Sequence, residues 1–295
     1  MLRYLAVLIW PVGMAAIFGI AYVINRRNPA AAPGGVGPQD RAAPNSHRAP
    51  AGRAAGSVLA DAVAGSLRLL PLAIVGAVVA FAVMALLGLL VVHHGLTIDR
   101  PIFNWIQGHR SHLTASAMKR LTKIGDTWTT WGACGAAAVC LAVTWRDRRW
   151  LPPVALAAAI VVDHFTTLAL RHVFERVGPP TSPLGTYPSG GADRCIFLYG
   201  LIAFLIWREF SGRRSMAIWA AAAVAALGFN EAYSRVYLSL HWFTDALSGL
   251  LYGGLLLAGF VVAIRVVAGP APAERAEEYG AQVRTAIYPS KGPAG

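Results

Sequence analysis

Apolar residues run in seven long stretches along the chain, at 2–24, 69–93, 128–145, 151–170, 195–208, 216–233 and 246–267. A helix of about 20 apolar residues crosses the hydrocarbon core of a bilayer, so each stretch predicts a transmembrane helix. The one at 195–208 is short for a full crossing and is expected to borrow residues from its flanks. The segment at 94–127 reads differently. Ile102, Phe103, Trp105 and Ile106, then Leu113, Met118 and Leu121, recur among polar residues as in an amphipathic helix lying at an interface. The predicted fold class is all-α: a polytopic transmembrane bundle with a six-helix core at 65–267 and one N-terminal span.

The segments outside that core have their own composition. Residues 25–64 begin with a Pro/Ala/Gly/Arg-rich run holding Pro29, Pro33, Gly34, Gly35, Pro38, Pro44 and Pro50. Such a run buries too little apolar surface to offset ordering, so a flexible linker is expected there. The tail at 268–295 is similar and is expected to be cytoplasmic. A small-residue cleavage site is conceivable at Ala30–Ala32, yet Arg26 and Arg27 directly follow the first stretch and favour a retained anchor at 1–24 over a cleaved signal.

Arginine placement orients the spans. Three segments share the cytoplasmic side by alternation: the linker, the turn Arg146 to Arg149 between Trp145 and Trp150, and the turn with Arg208, Arg213 and Arg214. The segments at 94–127, 171–194 and 234–245 then fall on the opposite, non-cytoplasmic side. The integral membrane protein so described is expected in a bacterial inner membrane.

Composition agrees. Of 295 residues, 56% are hydrophobic and 14% charged, against about 25% charged in soluble domains. That balance excludes a disordered chain and argues against a soluble enzyme. The 26 Lys and Arg exceed the 14 Asp and Glu, a formal charge of +12. With so few charges in total, the surplus marks membrane-facing loops rather than a nucleic-acid surface. Cys134, Cys140 and Cys195 form no C-x-x-C pair and read as small apolar side chains.

The densest polar groups lie in two of the far-side segments. In Ser234-Arg235-x5-His241-x3-Asp245, His241 and Asp245 share a helical face, so the carboxylate can hold one imidazole nitrogen and leave the other as a nucleophile or base. Arg235 offers planar donors suited to phosphate oxygens. The second segment carries Arg171, His172, Arg176, Gly178 and Pro179, then Pro188-Ser189-Gly190-Gly191-Ala192-Asp193-Arg194. Glycines after Ser189 let main-chain N–H groups approach an anion at the start of the next helix, although Pro-Ser-Gly-Gly alone is also an ordinary turn. His93, His94, His109 and His112 have no companions placed to complete a metal site, and they read as interfacial residues. Asp163-His164 inside the fourth span, and Asn230 with Glu231, read either as support beneath the site or as buried polar contacts.

These residues resemble the type 2 phosphatidic acid phosphatase superfamily of integral membrane lipid phosphatases, whose signatures are Lys-x6-Arg-Pro, Pro-Ser-Gly-His and Ser-Arg-x5-His-x3-Asp. Ser234, Arg235, His241 and Asp245 match the third in full, a coincidence expected in on the order of one chain in a thousand. In the first signature Arg171 replaces Lys, and Gly178 precedes Pro179. In the second, Pro188, Ser189 and Gly190 match while Gly191 holds the histidine position; a shifted alignment would put Arg194 there.

The resemblance implies that His241 attacks phosphorus to form a phosphohistidine, with Asp245 orienting it. It implies that Arg171, Ser189, Gly190 and Arg235 hold the phosphoryl oxygens. Arg176, Arg194 and His172 are candidate substitutes for the missing groups. No metal or cofactor is implied, and the partners are a membrane lipid phosphate and the bilayer. The family histidine absent at Gly191 protonates the leaving oxygen, so a lipid diphosphate, which leaves as a phosphate monoester, should be favoured over a monophosphate ester. The alternative is a catalytically impaired relative that binds lipid phosphate or acts as a scaffold.

Overall fold

The computed structural model describes residues 55–145, 148–180, 182, 185–210 and 213–269. The expected anchor at 1–24, most of the linker, the turn residues Arg146 and Asp147 and the tail from 270 lie outside the described residues. The elements in order are α1 (Ala55–His94), α2 (Leu96–His109), α3 (His112–Leu121), a 3-10 turn (Thr122–Gly125), α4 (Thr127–Thr144), α5 (Leu151–Phe174), α6 (Gly190–Phe210), α7 (Arg214–Tyr237) and α8 (Phe243–Ala268). No strand occurs among the described residues. Five helices are long and apolar enough to cross a membrane: Val63–His94 of α1, and α5, α6, α7 and α8. The sixth long helix, α4, is 18 residues and thus about 27 Å long, and it packs against α5 and α6.

The apolar runs place the helices, and polar chemistry sets their ends. α1 starts at Ala55, inside the segment expected to be linker, because the proline-rich run stops at Pro50 and Ser57–Ala64 lacks proline and glycine. α6 extends the short apolar stretch at both ends, from Gly190 to Phe210. The amphipathic segment forms two helices, broken where Arg110 turns extended and Ser111 caps α3 by accepting from Thr114 N–H. Its apolar face lies on the end of α7: Ile106, Ala115 and Met118 are buried with Tyr237 and Leu238, and Ile102, Trp105 and Leu121 pack around them. Leu113 alone of that set is left widely exposed, at 83%.

The core is centred on α6 and α8, whose backbones meet closely. A Cβ built on Gly249 would stand 2.4 Å from the Ser189 carbonyl oxygen, and one on Gly253 the same distance from that of Asp193. Gly76 of α1 and Gly259 of α8 make a similar crossing. Helices in a bilayer associate by such close packing of small residues. Leu198, Leu201, Tyr252, Leu256 and the edge-to-face pair Phe197–Phe260 fill the space between.

This packing gathers the ends of the helices into two sets. At one end Arg208 donates to the Gly269 carbonyl and Arg148 to that of Val267. At the other meet the three segments expected to share one face, joined by Arg176 with Asp99 and Asp245, Arg194 with Gly125, and Arg235 with Asp126.

Candidate active site

His241 sits in the five-residue turn between α7 and α8. Leu240 N–H donates to the Arg235 carbonyl at 2.9 Å, Ser182 Oγ donates to the Leu240 carbonyl at 2.6 Å, and Gln107 Nε2 reaches Ser239 Oγ at 2.5 Å. Ser239 itself adopts the left-handed region, φ 61°, which lets the chain reverse in so few residues. The His241 ring is 11% exposed, and its Nδ1 lies 2.9 Å from the Thr186 carbonyl oxygen. A carbonyl can only accept, so Nδ1 carries the proton and Nε2 keeps a free lone pair. Asp245 Oδ2 is 4.0 Å from the same Nδ1. The hydrogen bond that orients the ring therefore comes from a main-chain atom, which no pattern of side chains reveals, and Asp245 acts at longer range.

Asp245 has other partners. It caps α8 by accepting from Trp242 N–H at 3.2 Å, and it pairs with Arg176 Nη1. Arg176 Nη2 donates to Asp99 Oδ2 at 2.7 Å, and Asp99 accepts from Thr244 N–H at 2.9 Å and Thr244 Oγ1 at 2.7 Å. Arg176 is 5% exposed, and both ends of its guanidinium are committed to carboxylates. It braces the turn from below. Asp99, one of two carboxylates in the amphipathic segment, carried no signal in the sequence.

Three other guanidiniums surround the start of α6. A Cβ built on Gly190 would stand 2.6 Å from Arg171 Nη2 and 3.1 Å from Arg194 Nη1; one on Gly191 would stand 3.0 Å from both Arg235 Nε and Nη2. The first N–H groups of a helix have no acceptor within it and favour an anion. Ser189, just ahead of them, is fully buried with its Oγ unpartnered, as is Arg171 Nε. Arg194 is held by the Gly125 carbonyl, at 3.2 Å from Nε and 3.1 Å from Nη2. Arg235 is held by Glu231 at 2.5 Å and by Asp126 at 2.9 Å. Asp163 and Asp193, both buried, interact electrostatically with Arg171 and Arg194. Four carboxyl groups thus back three guanidiniums.

Of the residues the sequence pointed to, Arg171, Ser189, Gly190, Arg194, Arg235 and His241 come together. Arg176 and Asp245 lie beside them as a buried ion pair. His172 is 85% exposed next to Glu175, outside the cluster. Ser234 Oγ donates to the Glu231 carbonyl and stays within its helix. No side chain fits at Gly191 or Gly178 without movement: a Cβ would stand 2.5 Å from Glu231 Oε1 in the first case and from Thr186 Cγ2 in the second.

Burial, and after it Arg171 and Arg235, push the His241 imidazole from its ordinary 6.5 down to about 3. The ring is then neutral and nucleophilic throughout the neutral and mildly acidic range. Its resonances in substrate-free protein, identified by their loss in His241→Gln, should not move between about pH 7.5 and 5; a midpoint near 6.5 would contradict this placement. The unfolded chain takes up a proton below 6.5 that the folded ring refuses, so this group lowers stability as pH falls from 6.5 toward 3.

No family model matches the chain. Over 110 residues it is 30% identical to a protein of Escherichia coli (strain K12) named "Putative undecaprenyl-diphosphatase YbjG". The match covers 34% of this chain and 50% of that protein, so the chain spans about half the length of the curated relative it matches. The fold is that of a transmembrane PAP2 type phosphatidylglycerolphosphate phosphatase from Bacillus subtilis, with a TM-score of 0.56 at 19% identity over 63% of this chain and 94% of that one. The relative is named an undecaprenyl-diphosphatase and the structural neighbour a PAP2 type phosphatase, in agreement with the resemblance to the type 2 phosphatidic acid phosphatase superfamily.

Proposed function

We propose that this chain, an integral membrane protein similar in fold and sequence to type 2 phosphatidic acid phosphatases, is a lipid phosphate phosphatase working through a phosphohistidine on His241. One observation carries the reading. Ser189 Oγ and Arg171 Nε, buried and unpartnered, converge with Arg194, Arg235 and the start of α6 beside an imidazole that presents a free Nε2. Nε2 supplies the electron pair to phosphorus. Arg171, Arg194, Arg235, Ser189 and the N–H of Gly190 hold the equatorial oxygens as charge shifts toward the leaving group. The Thr186 carbonyl fixes the ring, and Asp245 stabilises the imidazolium that forms. Water then takes the phosphoryl group; another hydroxyl in its place would make the protein a phosphotransferase. The site lies at the end of the bundle opposite the arginine-rich turns, and that position supports a reading in which it acts at the non-cytoplasmic face.

The missing imidazole at Gly191 favours a substrate whose leaving group needs little protonation, and a polyprenyl diphosphate provides one. Purified protein should release phosphate from a polyprenyl diphosphate at least about tenfold faster than from the matched monophosphate. Faster cleavage of the monophosphate would remove the preference. Tight binding of both lipids with no release from either would favour the second reading, a lipid-phosphate-binding relative, for which Gly178 and Gly191 are the motivation.

A further inference from the structure

The α2–α3 pair carries charge that the phosphate site does not use. Segment 94–127 holds Arg100, Arg110, Lys119, Arg120 and Lys123 against two acids, Asp99 and Asp126. Both acids are spent on the body of the protein, Asp99 on Arg176 and Asp126 on Arg235. All five cations are exposed, and none forms an ion pair among the described residues. The pair lies at the end of the bundle opposite the arginine-rich turns, and the far side of a membrane protein ordinarily carries few basic residues. A surplus there points to an anionic partner. A cavity of about 400 Å³ between the two helices gives that partner a place, a size in the range of small-ligand sites. Gln107, Arg110, His112, Ser116 and Lys119 line it, and no carboxylate does. Its walls are tied to the end of α7 and the turn beyond: Ser111 N–H donates to Tyr237 Oη at 3.1 Å, and Gln107 Nε2 to Ser239 Oγ at 2.5 Å.

Leu113 separates a lipid from a dissolved anion. It follows His112 in the chain and is 83% exposed, while the rest of the apolar face of α3 is packed on α7. Only Gly95 stands between α2 and the membrane-spanning part of α1, so the pair lies at a bilayer surface. A dissolved anion would use the cations and leave Leu113 in water. A lipid headgroup uses both, because charge and an apolar side chain act together at a membrane surface. We propose that the α2–α3 cavity binds the phosphodiester headgroup of an anionic phospholipid of the surrounding bilayer, with Arg110 and Lys119 on its charge and Leu113 among its acyl chains. Binding there needs no turnover at His241 and does not rest on the phosphatase reading.

Local amide hydrogen exchange supplies the test. Short-chain phosphatidylglycerol, titrated into the full chain in phosphatidylcholine nanodiscs, should slow exchange across residues 107–119. Each Lys or Arg near an anionic bilayer surface is worth about fivefold in binding, so Arg110→Gln with Lys119→Gln should need about tenfold or more lipid for the same protection. Both side chains are exposed and unpaired, so the double variant keeps its fold. Leu113→Ser should weaken the response to the lipid as well. Inorganic phosphate, and phosphatidylcholine of the same chain length, should leave exchange unchanged. Equal slowing by either of these, slowing confined to the start of α6, an undiminished response in the double variant, or no slowing in wild type would each overturn the proposal.

Discussion

Replacing His241 with alanine reduces phosphate release from a lipid diphosphate by about 10⁴-fold or more, a loss typical of removing an attacking nucleophile. The size follows from how little else in the site could attack phosphorus. Ser234 Oγ is turned into its own helix, and His172 lies outside the cluster. Ser189 Oγ is buried and unpartnered, but no base is bonded to it. The same substitution leaves Arg171, Arg194 and Arg235 in place, so lipid phosphate binding should change by less than about tenfold. Acid-quenched protein incubated with labelled substrate should carry acid-labile phosphate in wild type and none in His241→Ala. Turnover retained in the alanine variant would end the phosphohistidine reading.

Replacing Arg176 with methionine has a different consequence. Both ends of its guanidinium are committed, Nη2 to Asp99 and Nη1 to Thr244 and Asp245, and the side chain is 5% exposed. Removing it leaves two buried carboxylates facing each other across an empty space. Breaking a buried ion pair from one side costs about 3–5 kcal/mol. The loss should appear as a lowered thermal unfolding midpoint in detergent, and adding Asp99→Asn should recover part of it. A stable Arg176→Met variant with only a raised KM would show instead that this arginine binds substrate.

These two results separate residues that look alike in the sequence. Arg171, Arg176, Arg194 and Arg235 all lie in far-side segments rich in polar groups, and each could have been a phosphate ligand. Only the folded chain shows that one of them is spent bracing α8 while three surround Gly190 and Gly191. The spans were legible because membrane-crossing helices need long apolar runs, and even the short run inside α6 was readable as the middle of a longer helix. The nearness of His241 to Asp245 was legible from their spacing, but the expected shared helical face was not found: His241 lies in the turn before α8, and Asp245 Oδ2 stays 4.0 Å from its Nδ1. The Thr186 carbonyl was not, being a main-chain atom 55 residues away. The absence of a side chain at Gly191 was visible at once. That the Glu231 carboxyl stands against it was not, because which residues of the neighbouring helices α6 and α7 face each other is set by their packing.

The carboxyl groups behind the arginines bear on turnover. Asp126 and Glu231 offset the charge of Arg235, and Asp193 lies close enough to Arg171 and Arg194 to interact with both, so the site is no deep electrostatic well. In a phosphatase such a site stabilises a phosphoryl group mainly through direction, with donors aimed at oxygens that are in place only during transfer. Inorganic phosphate, tumbling free of the imidazole, loses that alignment and meets little net attraction. In the proposed phosphatase, product escape would then be helped by the acids that hold Arg235 still.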